Sequence, residues 1–94
     1  MNIRRLVLDV DKTLSRPTLP ELAEAISPVR GVQAFNIAVM EIDVETVGME
    51  VTVEGDDIDH DQLVSEIERA GAVVHSVDEI AGGERLIENV RRKR

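Results

Sequence analysis

Between Ile3 and Val10 the chain alternates with period two: Leu6, Leu8 and Val10 fall on one side, Arg5, Val7 and Asp9 on the other. Such alternation predicts a strand covered on one face. Thr18-Leu19-Pro20-Glu21 then has the form of a helix start, with Thr18 as cap, Pro20 in the first turn where its missing N–H does no harm, and Glu21 closing a capping box. Leu19, Leu22, Ala23 and Ile26 supply an apolar stripe at helical spacing, and Pro28 with Gly31 ends it. Val32 to Asp43 and Gly48 to Gly55 read as two strands, and the short Val44 to Val47 connection makes them an antiparallel hairpin. Asp59-His60-Asp61-Gln62 opens a second helix with another box, and Ile58 and Leu63 are spaced as a hydrophobic staple across it. Leu63, Ile67 and Ala70 line its buried face, Gly71 stops it, and Ala72 to Ile80 forms a fourth strand. Gly82-Gly83 reads as a hinge, and Glu84 to Arg92 as a short terminal helix using Leu86, Ile87 and Val90.

Two strand–helix–strand units side by side predict an α+β, ferredoxin-like βαββαβ sandwich. Its four-stranded antiparallel or mixed sheet has the order 4-1-3-2, with both helices on one face and a short helical tail. Right-handed crossovers are expected to make the first and third strands parallel neighbours at the centre. The division is residues 1–83 for the domain and 84–94 for a basic tail.

The open sheet face is then expected to carry Val7, Asp9 and Asp11, then Asn36, Ala38, Met40 and Ile42, then Glu50, Thr52 and Glu54. An apolar patch (Ala38, Met40, Ile42) left bare on a small domain points to a partner surface, here self-association through this face or through edge strands.

Charge narrows the partners. The formal net charge is -8, and between Gly31 and Gly83 the only base is Arg69, whereas Arg85 and Arg91 to Arg94 make the tail basic. A phosphate backbone is repelled by such a body, and with Phe35 the lone aromatic there is no platform for stacked bases, so nucleic-acid binding by the domain body is not expected. Lacking cysteine, the chain has no disulfide scaffold, zinc ribbon or thiol nucleophile. The apolar run after Arg4-Arg5 breaks at Asp9, too early for a signal peptide or a membrane span, and a cytoplasmic location is expected.

One string suggests chemistry. Leu6-Val7-Leu8-Asp9-Val10-Asp11-Lys12-Thr13 is similar to the first motif of the haloacid-dehalogenase-type phosphatases, and Gly55-Asp56-Asp57-Ile58-Asp59 to that family's magnesium-holding acids. The resemblance implies a magnesium-dependent phosphoester hydrolase with Asp9 as nucleophile and Asp11 as acid/base. Against it, that chemistry needs a doubly wound parallel sheet, which the βαββαβ order does not supply. No lysine lies between Lys12 and Lys93, and Lys12 stands where a glycine is usual. The expectation therefore leans away from an enzyme.

A second resemblance spans nearly all of residues 3 to 83. Ile3 to Val10, Gly31-Val32, Asn36-Ile37-Ala38-Val39, Glu41-Ile42-Asp43, Thr52 to Asp59, His75-Ser76-Val77-Asp78-Glu79 and Ala81-Gly82 resemble the archaeal family called domain of unknown function 211. The resemblance implies a ferredoxin-like domain that forms homo-oligomers, with no established activity. The chain departs from it at Asp11 to Ser15, where a shorter loop with Pro is expected.

Parallel central strands would bring their C-terminal ends together, so Asp9 and Asp11 are expected to approach Glu54 and Asp56. Like charges on neighbouring strands cost stability unless offset. Calcium or magnesium held by Asp9, Asp11, Glu54 and Asp56, bases of the tail, or plain solvation would each do so. The acids around Asp59 are explained by helix capping. His75 is open: burying either Val73, His75 and Val77 or Val74, Ser76 and Asp78 buries something polar, and an outward His75 would join the acids. The combined expectation is a homo-oligomeric binding, regulatory or structural module of unknown small-molecule ligand, with a weak divalent-cation site.

Overall fold

The computed structural model describes residues 1–87. Its elements run β1 (Ile3–Thr13), α1 (Leu19–Ile26), β2 (Val32–Ile42), β3 (Thr46–Gly55), α2 (His60–Arg69) and β4 (Val73–Gly82). The strands form one sheet in the order β2-β3-β1-β4, the ferredoxin-like arrangement. Every neighbouring pair is antiparallel, including β1 with β3 at the centre. The expectation of a parallel β1–β3 pair is thus overturned: the crossover through α1 brings β2 back in the direction of β1, and the hairpin between β2 and β3 then reverses the chain, so β3 runs against β1.

The periodicities act as read. Leu6, Leu8 and Val10 of β1 and Val47, Met49, Val51 and Val53 of β3 are buried together with Leu22 and Ile26 of α1, Leu63 and Ile67 of α2, and Ile58. Each such side chain contributes about 1.5–3 kcal/mol by leaving water, which sets the sheet's inner face far more firmly than any single polar contact. Thr18 forms the full capping box, its hydroxyl accepting from the Glu21 N–H at 3.2 Å while the Thr18 N–H donates to the Glu21 carboxylate at 2.9 Å. The second box is only half made. Asp59 accepts from the Gln62 N–H at 3.0 Å, but Gln62 turns its side-chain oxygen to the Arg30 N–H at 2.9 Å and so ties the start of α2 to the loop before β2.

Three boundaries differ from expectation, each for a structural reason. β1 continues through Asp11, Lys12 and Thr13, because β3 begins at Thr46 and pairs with it to the end. Gly82 is no hinge: it pairs with Ile3, and the Gly83 N–H donates to the Asn2 carbonyl at 2.8 Å. Glu84 to Ile87 are irregular, and the remainder of the expected terminal helix lies outside the described residues. No helix among the described residues is long and apolar enough to cross a membrane.

Candidate functional site

The four carboxylates expected to share a site are dispersed by the antiparallel register. Asp9 lies opposite Glu50 and Asp11 opposite Gly48, whereas Glu54 lies opposite Arg5 at the other end of the sheet. Four residue steps separate Glu50 from Glu54, about 13 Å along a strand. Glu54 and Asp56 are also engaged: Glu54 accepts from Arg5 at 2.9 Å, and Asp56 pairs with Arg4 at 3.2 Å and accepts from the Asn2 amide at 2.9 Å. Among the described residues no group of three or more His, Asp or Glu is placed to hold a metal ion.

What the topology does assemble is an acidic sheet face. Because Leu6, Leu8 and Val10 face the helices, Arg5, Val7, Asp9 and Asp11 project from the opposite side. At one end Arg5 is clasped by Glu54 at 2.9 Å and Glu79 at 3.3 Å. The hydrogen bond to Glu54, reinforced by Glu79 and opposed by burial, raises the Arg5 pKa above its ordinary value. At the other end Asp9 and Glu50 stand cross-strand as like charges, with Asp11 and Glu41 beyond them. Gly48 lies between this last pair. A Cβ placed there would meet the Asp11 carboxylate at 3.6 Å and the Glu41 Cβ at 3.8 Å, so both acids share its side.

Glu41 reaches that face through a β2 irregularity that strict alternation does not foresee. Val39 pairs with Met49 and Glu41 with Gly48, so Met40 is an extra residue. From there the faces swap: Glu41 takes the open side, and Ile42, opposite the buried Val47, takes the helix side. The apolar patch expected from Ala38, Met40 and Ile42 is therefore not formed there; Ala38 remains, opposite Glu50.

His75 resolves outward. β4 shifts register opposite Val7/Leu8 and again opposite Asp9/Val10, so Val74 and Val77 both face the helices while His75 is freed. Neither alternating set expected for this strand is buried. The His75 ring is 67% exposed, with Nδ1 3.6 Å from an Asp9 carboxylate oxygen.

The phosphatase-like string has no matching geometry. Asp9 and Asp11 sit inside a strand paired on both flanks, not at a strand end above a helix N-terminus. Lys12 points to the helix side, largely buried, with Nζ donating to the carbonyls of Thr13 at 3.1 Å and Leu14 at 3.3 Å. It is thus turned away from both aspartates. A groove of about 740 Å³ lies at the far end, lined by Arg4, Gln33, Ala34, Glu54 and the chain from Glu84 to Ile87. Of its lining the sequence marked only Glu54, as a cation ligand, since the groove itself arises from chain beyond β4 folding back across the sheet end.

Comparison with known proteins agrees with the residue strings. The model of a family described as uncharacterized ArCR, DUF211, matches residues 4–94. The chain belongs to the DUF211 family. A relative, the uncharacterized protein MJ0319 of Methanocaldococcus jannaschii, is 39% identical over 89 residues, which cover 95% of this chain and 91% of that protein.

Proposed function

We propose that this DUF211 chain is a self-associating structural or binding module that displays its acidic sheet face, not an enzyme. The observation that carries the reading is the condition of the two sheet edges. The helices are 8 and 10 residues long, while β2 and β4 have 11 and 10. At a rise of about 1.5 Å per helical residue against about 3.3 Å in a strand, each helix covers under half the length of the strand beneath it. On β2 the helix-side residues Phe35, Val39 and Ile42 stay 45%, 44% and 69% exposed. On β4, Val77 and Ile80 are likewise exposed. Among the described residues both strands are edges with no strand on their outer flank, and apolar residues along an open edge favour strand addition by another chain. The occupant this geometry fits is a second copy, the β2 edge of one against the β4 edge of the next. Neither the hydrolase reading nor a four-ligand cation site is needed for it.

Native mass spectrometry and light scattering test the proposal. The expected result is an assembly of several 10.4 kDa chains. A protein that remains monomeric at high concentration overturns it.

A further inference from the structure

We infer that copies of this chain join in one register: the β2 edge of one lies antiparallel to the β4 edge of the next, Ala34 opposite Ala81 and Ala38 opposite Ser76, with all helices on one side. This rests on the self-association proposed above and specifies its junction. The sheet's own pairings supply the ruler. They line up in rows, from Ala34-Glu54-Arg5-Ala81 and Phe35-Val53-Leu6-Ile80 at one end to Glu41-Gly48-Asp11-Val73 at the other. β2 and β1 both run against β3, and β4 runs against β1, so the two edges point in opposite directions. A second copy set beside the first in the same orientation therefore meets it antiparallel, and its rows continue those of the first. Turning that copy over makes the pair parallel, moves its helices to the opposite side, and brings its apolar edge residues beside polar ones.

Side-chain matching selects this row alignment. On the helix side Phe35 meets Ile80 of the second copy, Ile37 meets Val77, and Val39 meets Val74, so the apolar residues that the short helices leave uncovered cover one another. A hollow of about 270 Å³, lined by Ser27, Val32, Gln33, Ala34 and Phe35, lies where that Ile80 arrives. On the open side Ala81, Glu79 and Ser76 of the second copy fall beside Ala34, Asn36 and Ala38, so an amide and not a carboxylate meets Glu79. Glu41 then lies diagonal to His75, the one base of β4, close enough for long side chains to pair. Other registers lose these matches. A slip of one residue exchanges every face and sets Phe35 beside Glu79 or Ala81. A slip of two rows carries Phe35 or Ile80 past the end of the opposing apolar series.

Because the chain has no cysteine, single introduced cysteines report the register directly. Opposite residues of antiparallel strands have Cα atoms about 4.5–5.5 Å apart, within reach of a disulfide, whereas four steps along a strand span about 13 Å. Full-length Ala38→Cys mixed with Ser76→Cys, or Ala34→Cys mixed with Ala81→Cys, should link under mild oxidation about tenfold more than Ala34→Cys mixed with Ser76→Cys. Mass spectrometry without reductant counts the linked dimers, and the two in-register pairs serve independently should one variant fold poorly. Self-linkage of Ala38→Cys as the main product, which marks β2 pairing with β2, overturns the register; so does equal linkage in all three mixtures. Light scattering of the parent separates the two layers. An assembly whose chains link out of register removes this inference alone, whereas a monomeric parent removes the self-association and the register with it.

Discussion

Charge on this molecule is decided residue by residue. On the open face the planar guanidinium of Arg5 spans two strands by bonding Glu54 on β3 and Glu79 on β4. A lysine could not hold that fork. On the helix side the corresponding device is Glu21. The backbone N–H of Thr18, and then the charge of Arg16, hold its carboxylate below the ordinary range. A depressed carboxylate pKa adds stability at pH values above the unfolded pKa, and that stability is lost as pH falls through the folded value. Glu21→Gln should therefore have a lower melting temperature than the parent at neutral pH, and the two curves should merge once pH drops beneath the ordinary carboxylate range. Thermal unfolding followed by circular dichroism at stepped pH checks this; a gap that persists in acid would assign the effect to something other than the charge.

At the scale of elements, most of the fold was legible because each element carried its own signal. Capping residues marked Thr18 and Asp59, and period-two burial marked β1 and β3. What escaped were relations between elements. The direction of β3 against β1 depends on how many times the chain turns back, a property of topology that the strand's own residues do not encode. The irregularities at Met40 and His75 escaped as well, since a single inserted residue exchanges faces without altering composition. These two errors moved the candidate site: one split Glu54 and Asp56 from Asp9 and Asp11, and the other carried Glu41 in and Ile42 out. Packing between β2 and β3 offers a test of the register itself. At Gly55 an added Cβ would overlap the Gly31 carbonyl, whereas at Gly48 it would meet nothing nearer than 3.6 Å. Gly55→Ala should cost on the order of 3 kcal/mol, as overpacking against rigid backbone does, and Gly48→Ala should be near neutral. Urea melts of the two variants decide it, and equal costs would contradict the pairing of Val32 with Gly55.

For the whole molecule, the two edges are different surfaces, which constrains how copies can join. β2 presents Phe35, Val39 and Ile42, whereas β4 presents Val77 and Ile80. Joining β2 of one copy to β4 of the next is heterologous, so each added chain leaves a fresh edge at both ends until the rotation between copies closes a ring. An isologous pairing of β2 with β2 would instead stop at two. Complementation separates them. A β2-edge variant, Val39→Glu with Ile42→Lys, retains an intact β4 edge, and a β4-edge variant, Ile80→Glu, retains an intact β2 edge. Alone, each should be monomeric, because every head-to-tail contact then includes one charged, damaged edge. Mixed in equal amounts, they should form a heterodimer and no larger species, since only one sound junction can be built from the two. If Ile80→Glu alone keeps the parent's assembly size by light scattering, β4 takes no part in the junction and the head-to-tail arrangement is excluded.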